Sequence, residues 1–255
     1  METKKIEEII KNLIEVFFEA GNLSIELRNK GLKKLIKKDN TPVTNGDIEV
    51  NKIILNNLKK ITPDFPIVSE ETAENKNKSL STFWLVDPID GTNDYIHNRD
   101  EFTINAGLII NKKAVAGIVY APAKNRMFYS CGNNLSYEFK NNKKELLNNK
   151  KIDRSNIKAV TYSNNLKPEI IEMHKKLNVK EYVKMKSSLK FCVIATGEYQ
   201  VYVAEPRAHE WDIAAGHAIL KNSGGIITDF EGNEILYGKN KFKNPSIILK
   251  STNIL

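Results

Sequence analysis

The stretch Phe83-Trp84-Leu85-Val86-Asp87-Pro88-Ile89-Asp90-Gly91-Thr92 decides how this chain is read. Four consecutive apolar residues suit a strand buried on both faces. They run directly into two carboxylates three positions apart, with Pro88 stiffening the link. Gly91 permits a tight turn or a close ligand approach, and Thr92 is expected to cap the helix that follows. Two carboxylates and a hydroxyl therefore gather at the C-terminal end of a strand, beside a helix N-terminus. Hard cations such as Mg²⁺ take carboxylate and carbonyl oxygens and keep positions open for phosphate. A helix N-terminus offers N–H groups to the same phosphate. A bare D-x-x-D pair reads more simply as two caps of a strand-to-helix turn, so the pair needs company before it points to chemistry.

Company is found on both sides. Upstream, Ser69-Glu70-Glu71 follows an apolar segment ending at Val68, again at a strand's C-terminal end. Downstream, Trp211-Asp212 opens a helix whose face carries Ala214, Ala215 and Ala218. Taken singly, Glu70 and Glu71 are a solvated loop pair, and Asp212 is an acidic residue favoured by the helix dipole. Three acidic sites, each beside the end of an apolar element, point together to a metal and phosphate centre.

The rest of the chain supplies layers for such a centre. Ile6, Ile9, Ile10, Leu13, Ile14 and Phe17 keep the rhythm of one helical face. A lysine-rich stretch, Lys30 to Lys38, reaches the turn cluster Asp39-Asn40-Thr41-Pro42. Thr44 and Asp47 have capping-box spacing before a second apolar face at Val50, Ile53, Ile54 and Leu58. The polar segment Ala73 to Ser81 is expected to be a loop. Residues 103–130 alternate as strands do. Asn133 to Lys151 is polar and asparagine-rich, and is expected to join two parts, 1–150 and 151–255. Beyond it, strands are expected at 157–162, 181–186, 199–203, 225–229 and 246–250, with helices at 167–177, 187–197 and 211–222. The expected class is α/β (α+β), with helices layered on sheets.

Composition narrows the function classes. At 255 residues, with 41% hydrophobic and 27% charged, the chain is ordinary globular material, neither disordered nor fibrous. No run of apolar residues is long enough to span a membrane, and the charged pattern after Met1-Glu2-Thr3-Lys4-Lys5 is not expected to be a secretory leader. The net charge of +8 is spread along the chain rather than gathered in one stripe, so nucleic acid is not the expected partner. Cys131 and Cys192 have no metal-ligand spacing and cannot make a disulfide framework; a reducing cytoplasm is expected.

Glu70-Glu71, then Asp87-Pro88-Ile89-Asp90-Gly91-Thr92, then Trp211-Asp212-Ile213-Ala214-Ala215-Gly216 resemble, in order and spacing, the signatures of the inositol monophosphatase superfamily of Mg²⁺-dependent, lithium-sensitive phosphomonoesterases. That resemblance covers nearly the whole chain and implies a layered αβαβα sandwich. Asn40-Thr41-Pro42-Val43-Thr44, Glu101 to Asn105, Val119 to Pro122, Ser187 to Cys192 and Ala214 to Ala218 are similar to the CysQ-type 3′(2′),5′-bisphosphate nucleotidases, which convert 3′-phosphoadenosine 5′-phosphate to AMP. Two departures touch the substrate end: Lys186 stands where that branch usually has Gly, and Glu205 to His209 is short and poor in glycine.

The resemblance implies these roles. Glu70, Asp87 and the Ile89 carbonyl hold one Mg²⁺; Asp87, Asp90 and Asp212 hold a second; a third sits loosely near Glu70. Asp47 and Thr92 activate the attacking water, assisted by Glu71. Gly91, Thr92 and Asp212 meet the substrate around the reacting phosphate. Ser187, Ser188 and Lys190 take the nucleotide's other phosphate. His217 is expected to be packed, His209 is open between packing and substrate contact, and Lys33, Lys34, Lys37 and Lys38 are expected to form a solvated face on a segment that reaches toward the metals. The partner is a small phosphate ester, bound by a monomer or homodimer; the resemblance also admits peripheral attachment to the inner membrane. The alternatives are an inositol monophosphatase or broad sugar phosphatase and, outside catalysis, an anion- or nucleic-acid-binding protein on the same fold.

Overall fold

The order of elements in the computed structural model is α1 (Thr3–Lys30), β1 (Lys34–Ile36), β2 (Pro42–Thr44), α2 (Asn45–Ile61), β3 (Ile67–Ser69), β4 (Phe83–Asp90), α3 (Thr92–Ile96), β5 (Thr103–Ile110), β6 (Lys113–Ala121), β7 (Arg126–Gly132), β8 (Leu135–Lys140) and β9 (Lys143–Leu146). There follow β10 (Ile157–Thr161), α4 (Pro168–Lys176), β11 (Val179–Lys184), α5 (Leu189–Ala195), β12 (Val201–Ala204), α6 (Glu210–Asn222), β13 (Ile226–Thr228) and β14 (Ile247–Lys250). The structure describes residues 2–37, 40–72, 80–147 and 155–251. Most of the expected loop at 73–81, the turn residue Asp39, Lys38 and the end of the 133–151 stretch lie outside them.

Strands β3 to β9 form one seven-stranded sheet in sequence order, parallel between β3 and β4 and antiparallel thereafter. Strands β11-β10-β12-β14-β13 form a second, five-stranded sheet. Alternation along each strand assigns its two faces. Trp84, Val86, Ile104, Ala106 and Leu108 pack on α1 and α2, through Ile10, Leu13, Phe17, Val50 and Ile54. Phe83, Leu85 and Ile109 turn the other way, to α5, α6 and the near face of the second sheet at Val160, Tyr202 and Leu249. Ile157, Ala159, Val201, Val203 and Ile248, on that sheet's far face, meet α4 at Ile170. Helix, sheet, helix, sheet and helix follow one another, the expected αβαβα sandwich. The central layer lies flush because its neighbours are small. A Cβ on Gly107 would sit 2.7 Å from the Ala214 Cβ, and one on Gly117 would sit 2.8 Å from the Ala215 Cα.

Four local expectations are corrected. Most of the described part of the polar stretch after Asn133 is sheet: β8 and β9 complete the first sheet there. Its asparagine pairs make the turns. Asn133-Asn134 and Asn141-Asn142 all have positive φ, between 51° and 59°, the backbone of a two-residue hairpin turn that Asn tolerates. The lysine-rich stretch is not one face. Helix α1 runs to Lys30 and stops at Gly31, φ 98°, and β1 and β2 then pair antiparallel as a hairpin. Thr92 is not the cap of α3; Gly91 is, in the left-handed region at φ 94°. The helix expected from 187 starts at Leu189, because Ser187 also sits at positive φ, 55°.

Candidate active site

Strand β4 stays in the sheet through the D-x-x-D sequence. Its register against β5 shifts between Asp87, opposite Asn105, and Asp90, opposite Thr103. This bulge absorbs Pro88, which has no N–H for a ladder. The neighbour β3 pairs only as far as Val86, so the chain beyond Val86 is open on that side. There the Ile89 N–H donates to Asp87 Oδ1 at 3.1 Å.

Glu70 and Glu71 begin a single 3-10 turn at the end of β3. Ser69 fixes it: its hydroxyl donates to Asn51 Oδ1 at 2.7 Å and accepts the Glu71 N–H at 3.3 Å. Asp212 lies in the first turn of α6, where Oδ2 accepts the His209 N–H at 2.8 Å. Three elements distant in sequence thus bring carboxylate oxygens of Glu70, Asp87 and Asp212 within 4.8 Å of one another. Glu70, Asp87, Asp90 and Asp212 line one cavity of about 340 Å³, together with Ile89, Gly91 and Thr92.

The electrostatics show what the cluster lacks. Burial raises the Asp87 carboxyl well above the usual carboxylate range, and Glu70, Asp90 and Asp212 push the same way. Burial does the same to Asp212, helped by Asp90 and Glu70. Asp90 is pushed up to about 6 by burial, although the Lys190 ammonium and the Ser188 N–H oppose it. Glu71 reaches about 7, because burial outweighs its pairing with Lys37. Buried carboxylates at this spacing are short of positive charge, and their all-oxygen donor set fits a hard divalent cation. Among described residues, Lys37 answers part of the need: its ammonium contacts Glu71 Oε1 at 2.7 Å and Glu70 Oε1 at 3.1 Å.

Asp47 and Thr92, 45 positions apart, meet beside this cluster. Asp47 Oδ2 accepts the Thr44 N–H at 2.7 Å and the Thr44 hydroxyl at 2.6 Å, completing the expected capping box of α2. Asp47 Oδ1 is left for the Thr92 hydroxyl, at 3.1 Å; the Ile89 carbonyl is a second acceptor at the same distance. Asp47 is 1% exposed, and burial raises its carboxyl despite the Thr44 and Thr92 hydrogen bonds. Gly91 cannot be replaced freely: beyond its φ, a Cβ there would lie 3.1 Å from the Glu101 carbonyl oxygen.

At the substrate end, the expected residues are present but differently employed. Ser187, Ser188 and Lys190 line the cavity. The Ser188 hydroxyl faces the sheet, donating to Asn105 Oδ1 at 2.7 Å and meeting Thr103 Oγ1 at 2.8 Å. Lys190 is buried; its ammonium donates to the Ser187 carbonyl and lies in the field of Asp90, and burial lowers it to about 8. Lys186 donates its ammonium to the Tyr162 carbonyl at 3.2 Å and its backbone N–H to Glu101 Oε2 at 3.0 Å. Sequence reasoning missed Tyr162, Tyr202 and Arg207, which also line the cavity. The Arg207 guanidinium stacks 4.2 Å from the centre of the Tyr162 ring. The arginine in the short Glu205 to His209 segment was the one signal for it. The His209 ring stacks on Trp211, and His217, buried, pairs with the Tyr237 hydroxyl at 2.8 Å. Cys131 and Cys192 are free and buried. Among described residues, no helix is long and apolar enough to cross a membrane.

Comparison with known proteins follows the same lines. The inositol monophosphatase family model matches residues 5–253. A curated 3′(2′),5′-bisphosphate nucleotidase CysQ from Salmonella typhimurium is 36% identical over 245 residues, covering 93% of this chain and 97% of the relative. The Escherichia coli K12 protein of the same name is 34% identical over 228 residues, covering 85% and 88%. Among solved structures, CysQ from Bacteroides thetaiotaomicron, described as a bacterial member of the inositol monophosphatase family, superposes with a TM-score of 0.79. It is 27% identical and covers 94% of this chain and 96% of its own.

Proposed function

The chain belongs to the inositol monophosphatase family, and from that membership we propose that it is a divalent-metal-dependent 3′(2′),5′-bisphosphate nucleotidase. It removes the 3′-phosphate of 3′-phosphoadenosine 5′-phosphate, leaving AMP and inorganic phosphate. The observation that carries the reading is the convergence of Glu70, Asp87 and Asp212 on the wall of a cavity that Lys186, Lys190 and Arg207 also line. Carboxylates for metal and cations for a second phosphate suit a bisphosphate better than a simple sugar phosphate.

Glu70, Asp87 and the Ile89 carbonyl would hold one Mg²⁺, Asp87, Asp90 and Asp212 a second, and Glu70 would also serve a third, looser one. Bound there, Mg²⁺ supplies charge neutralisation for the phosphate and lowers the pKa of bound water. The remaining work belongs to side chains. Asp47 has one carboxylate oxygen occupied by Thr44 and the other turned to Thr92. When Thr92 donates to Asp47, its own oxygen is left to accept a proton from the attacking water. The raised Asp47 carboxyl is the better base for it. Glu71 supports the Glu70 end of the site. Gly91, Thr92 and Asp212 orient the reacting phosphate. Lys190, with the Ser187 and Ser188 backbone, faces the rest of the nucleotide, and Arg207 takes the second phosphate at the cavity mouth as a planar fork.

The test is phosphate release with Mg²⁺ from 3′-phosphoadenosine 5′-phosphate, inositol 1-phosphate, fructose 1,6-bisphosphate and AMP, each repeated in EDTA. The bisphosphate nucleotide should be turned over with the highest kcat/KM, and EDTA should abolish release from all. Equal or faster turnover of inositol 1-phosphate overturns the substrate assignment; full activity in EDTA overturns the metal one.

A further inference from the structure

Strand β5 carries two polar residues, Thr103 and Asn105, that are fully buried between apolar neighbours. Their ladder partners on β4 are Asp90 and Asp87. Across the layer they meet Ser188, itself buried at the start of α5. The Ser188 hydroxyl gives its single proton to Asn105 Oδ1 at 2.7 Å. The contact between the Ser188 and Thr103 hydroxyls, at 2.8 Å, therefore uses the Thr103 proton. Asn105 Nδ2 donates to Thr103 Oγ1 at 3.4 Å and closes the ring. Each of the three groups donates once and accepts once, and the direction of donation is fixed all round.

Stability alone does not call for such a ring. Apolar side chains of the same shape hold a sheet to a helix about as well, whereas a buried polar group that loses its partner is costly. Ser188 also forgoes its ordinary use: it stands at the N-cap of α5, yet its side chain makes no cap hydrogen bond. A closed polar ring fixes orientation instead. The Ser188 N–H faces the Asp90 carboxylate and favours its ionised form against burial. Ser188 and Asp90 line the same cavity, and Asp90 has Thr103 as its strand partner. Two members of the ring thus border Asp90, one through the ladder and one across the cavity wall. Asn105, the third, does not line the cavity.

We propose that Asn105 is a positioning residue: by tying the Ser188 and Thr103 hydroxyls into one ring, it sets the start of α5 against the end of β4 and holds the Asp90 carboxylate in place for a divalent cation. The inference rests on the reading of Asp90 as a metal ligand. Without the Asn105 amide, the Ser188 hydroxyl is free to turn back and cap α5, and nothing then holds its N–H on Asp90.

The test measures binding of Mn²⁺ alone, by calorimetry without substrate, for the wild type, Asn105→Ala, Ser188→Ala, the double variant and Ser188→Thr. Asn105→Ala and Ser188→Ala should each bind Mn²⁺ about 3- to 10-fold more weakly, the scale of one buried hydrogen bond. The double variant should lose no more than either single one, because the ring acts as a unit. Ser188→Thr keeps the hydroxyl and should stay close to the wild type. The Mg²⁺ concentration for half-maximal activity of Asn105→Ala should rise by the same factor, and kcat should recover at saturating Mg²⁺. A purely structural ring would lower Tm and leave Mn²⁺ affinity alone. Wild-type Mn²⁺ affinity in the folded single variants, or losses that multiply in the double variant, therefore overturns the proposal and leaves the metal site intact. If Asn105→Ala does not fold, Ser188→Ala against Ser188→Thr decides by the same measure. No Mn²⁺ binding by the wild type overturns the metal assignment itself.

Discussion

Removing metal from this protein should make its stability depend on pH in a direction set by the carboxylate cluster. Glu71 ordinarily titrates near 4.5 and here near 7; Asp90 is raised to about 6, and Asp87, Asp212 and Asp47 move the same way. A carboxyl raised in the folded state holds a proton that the unfolded chain has already released. Its contribution to stability is therefore present at low pH and lost as pH rises through the folded value. For Glu71 the window runs from about pH 4.5 to 7, and its ionisation costs the metal-free protein about 2–3 kcal/mol between pH 5 and pH 8. A bound cation removes that cost by pairing with the ionised cluster. His174 and His217, which burial lowers, act in the opposite direction but lie off the cavity wall and contribute equally with and without metal. The quantity to follow is the difference in Tm between saturating Mg²⁺ and EDTA, by calorimetry at pH 5, 6, 7 and 8. At about 2–4 °C per kcal/mol for a chain of this size, the difference should widen by about 5–10 °C from pH 5 to pH 8. A difference that is flat or narrows with rising pH refutes the reasoning.

Asp90→Asn should fold yet lose turnover by at least about a hundredfold, because one missing ligand charge raises the barrier by several kcal/mol; near-normal kcat in a folded variant counts against the site. Li⁺ should inhibit uncompetitively and less strongly as Mg²⁺ rises, if it takes the position formed by Asp87, Asp90 and Asp212; steady-state kinetics at several Mg²⁺ levels checks this. Arg207→Gln should raise KM for 3′-phosphoadenosine 5′-phosphate by about three- to tenfold and leave inositol 1-phosphate hydrolysis unchanged, the scale of one charge-assisted contact at a wet site. Lys190→Ala should raise KM for 3′-phosphoadenosine 5′-phosphate and, because the ammonium also lies in the field of Asp90, lower kcat on both substrates. Gly107→Val should lower stability by about 1–3 kcal/mol in a denaturant titration, since its side chain meets Ala214 in the flush sheet–helix contact.

The metal-binding part of the proposal was legible before any fold was known. A buried strand ending in carboxylates, an acidic pair after another strand and an acidic helix start are local patterns, and their order and spacing carried the resemblance. The capping box at Thr44 and Asp47 was likewise local, since a helix start recurs wherever that spacing precedes an apolar face. The asparagine pairs misled for an equally local reason. Polarity suggests a linker, whereas the backbone conformations Asn tolerates suggest a hairpin turn, and composition alone does not separate them.

What the chain by itself determined is therefore which segments bury which face, and which carboxylates end which elements; hydrophobic period and capping chemistry act over a few residues. Only the tertiary structure decided how side chains far apart in sequence divide the work. Asp47 met Thr92 because β4 passes the start of α2. The Ser188 hydroxyl turned into β5, because Ser187 took a left-handed conformation and delayed the helix by two residues. Lys190 was buried beside Asp90, and Arg207 came to stack on Tyr162. Lys37, one lysine among several in sequence, met Glu70 and Glu71. The physical reason is range: a lone lysine carries the same sequence signal on a wet face and above a carboxylate cluster, and only the packing of the layers fixes which charge it meets.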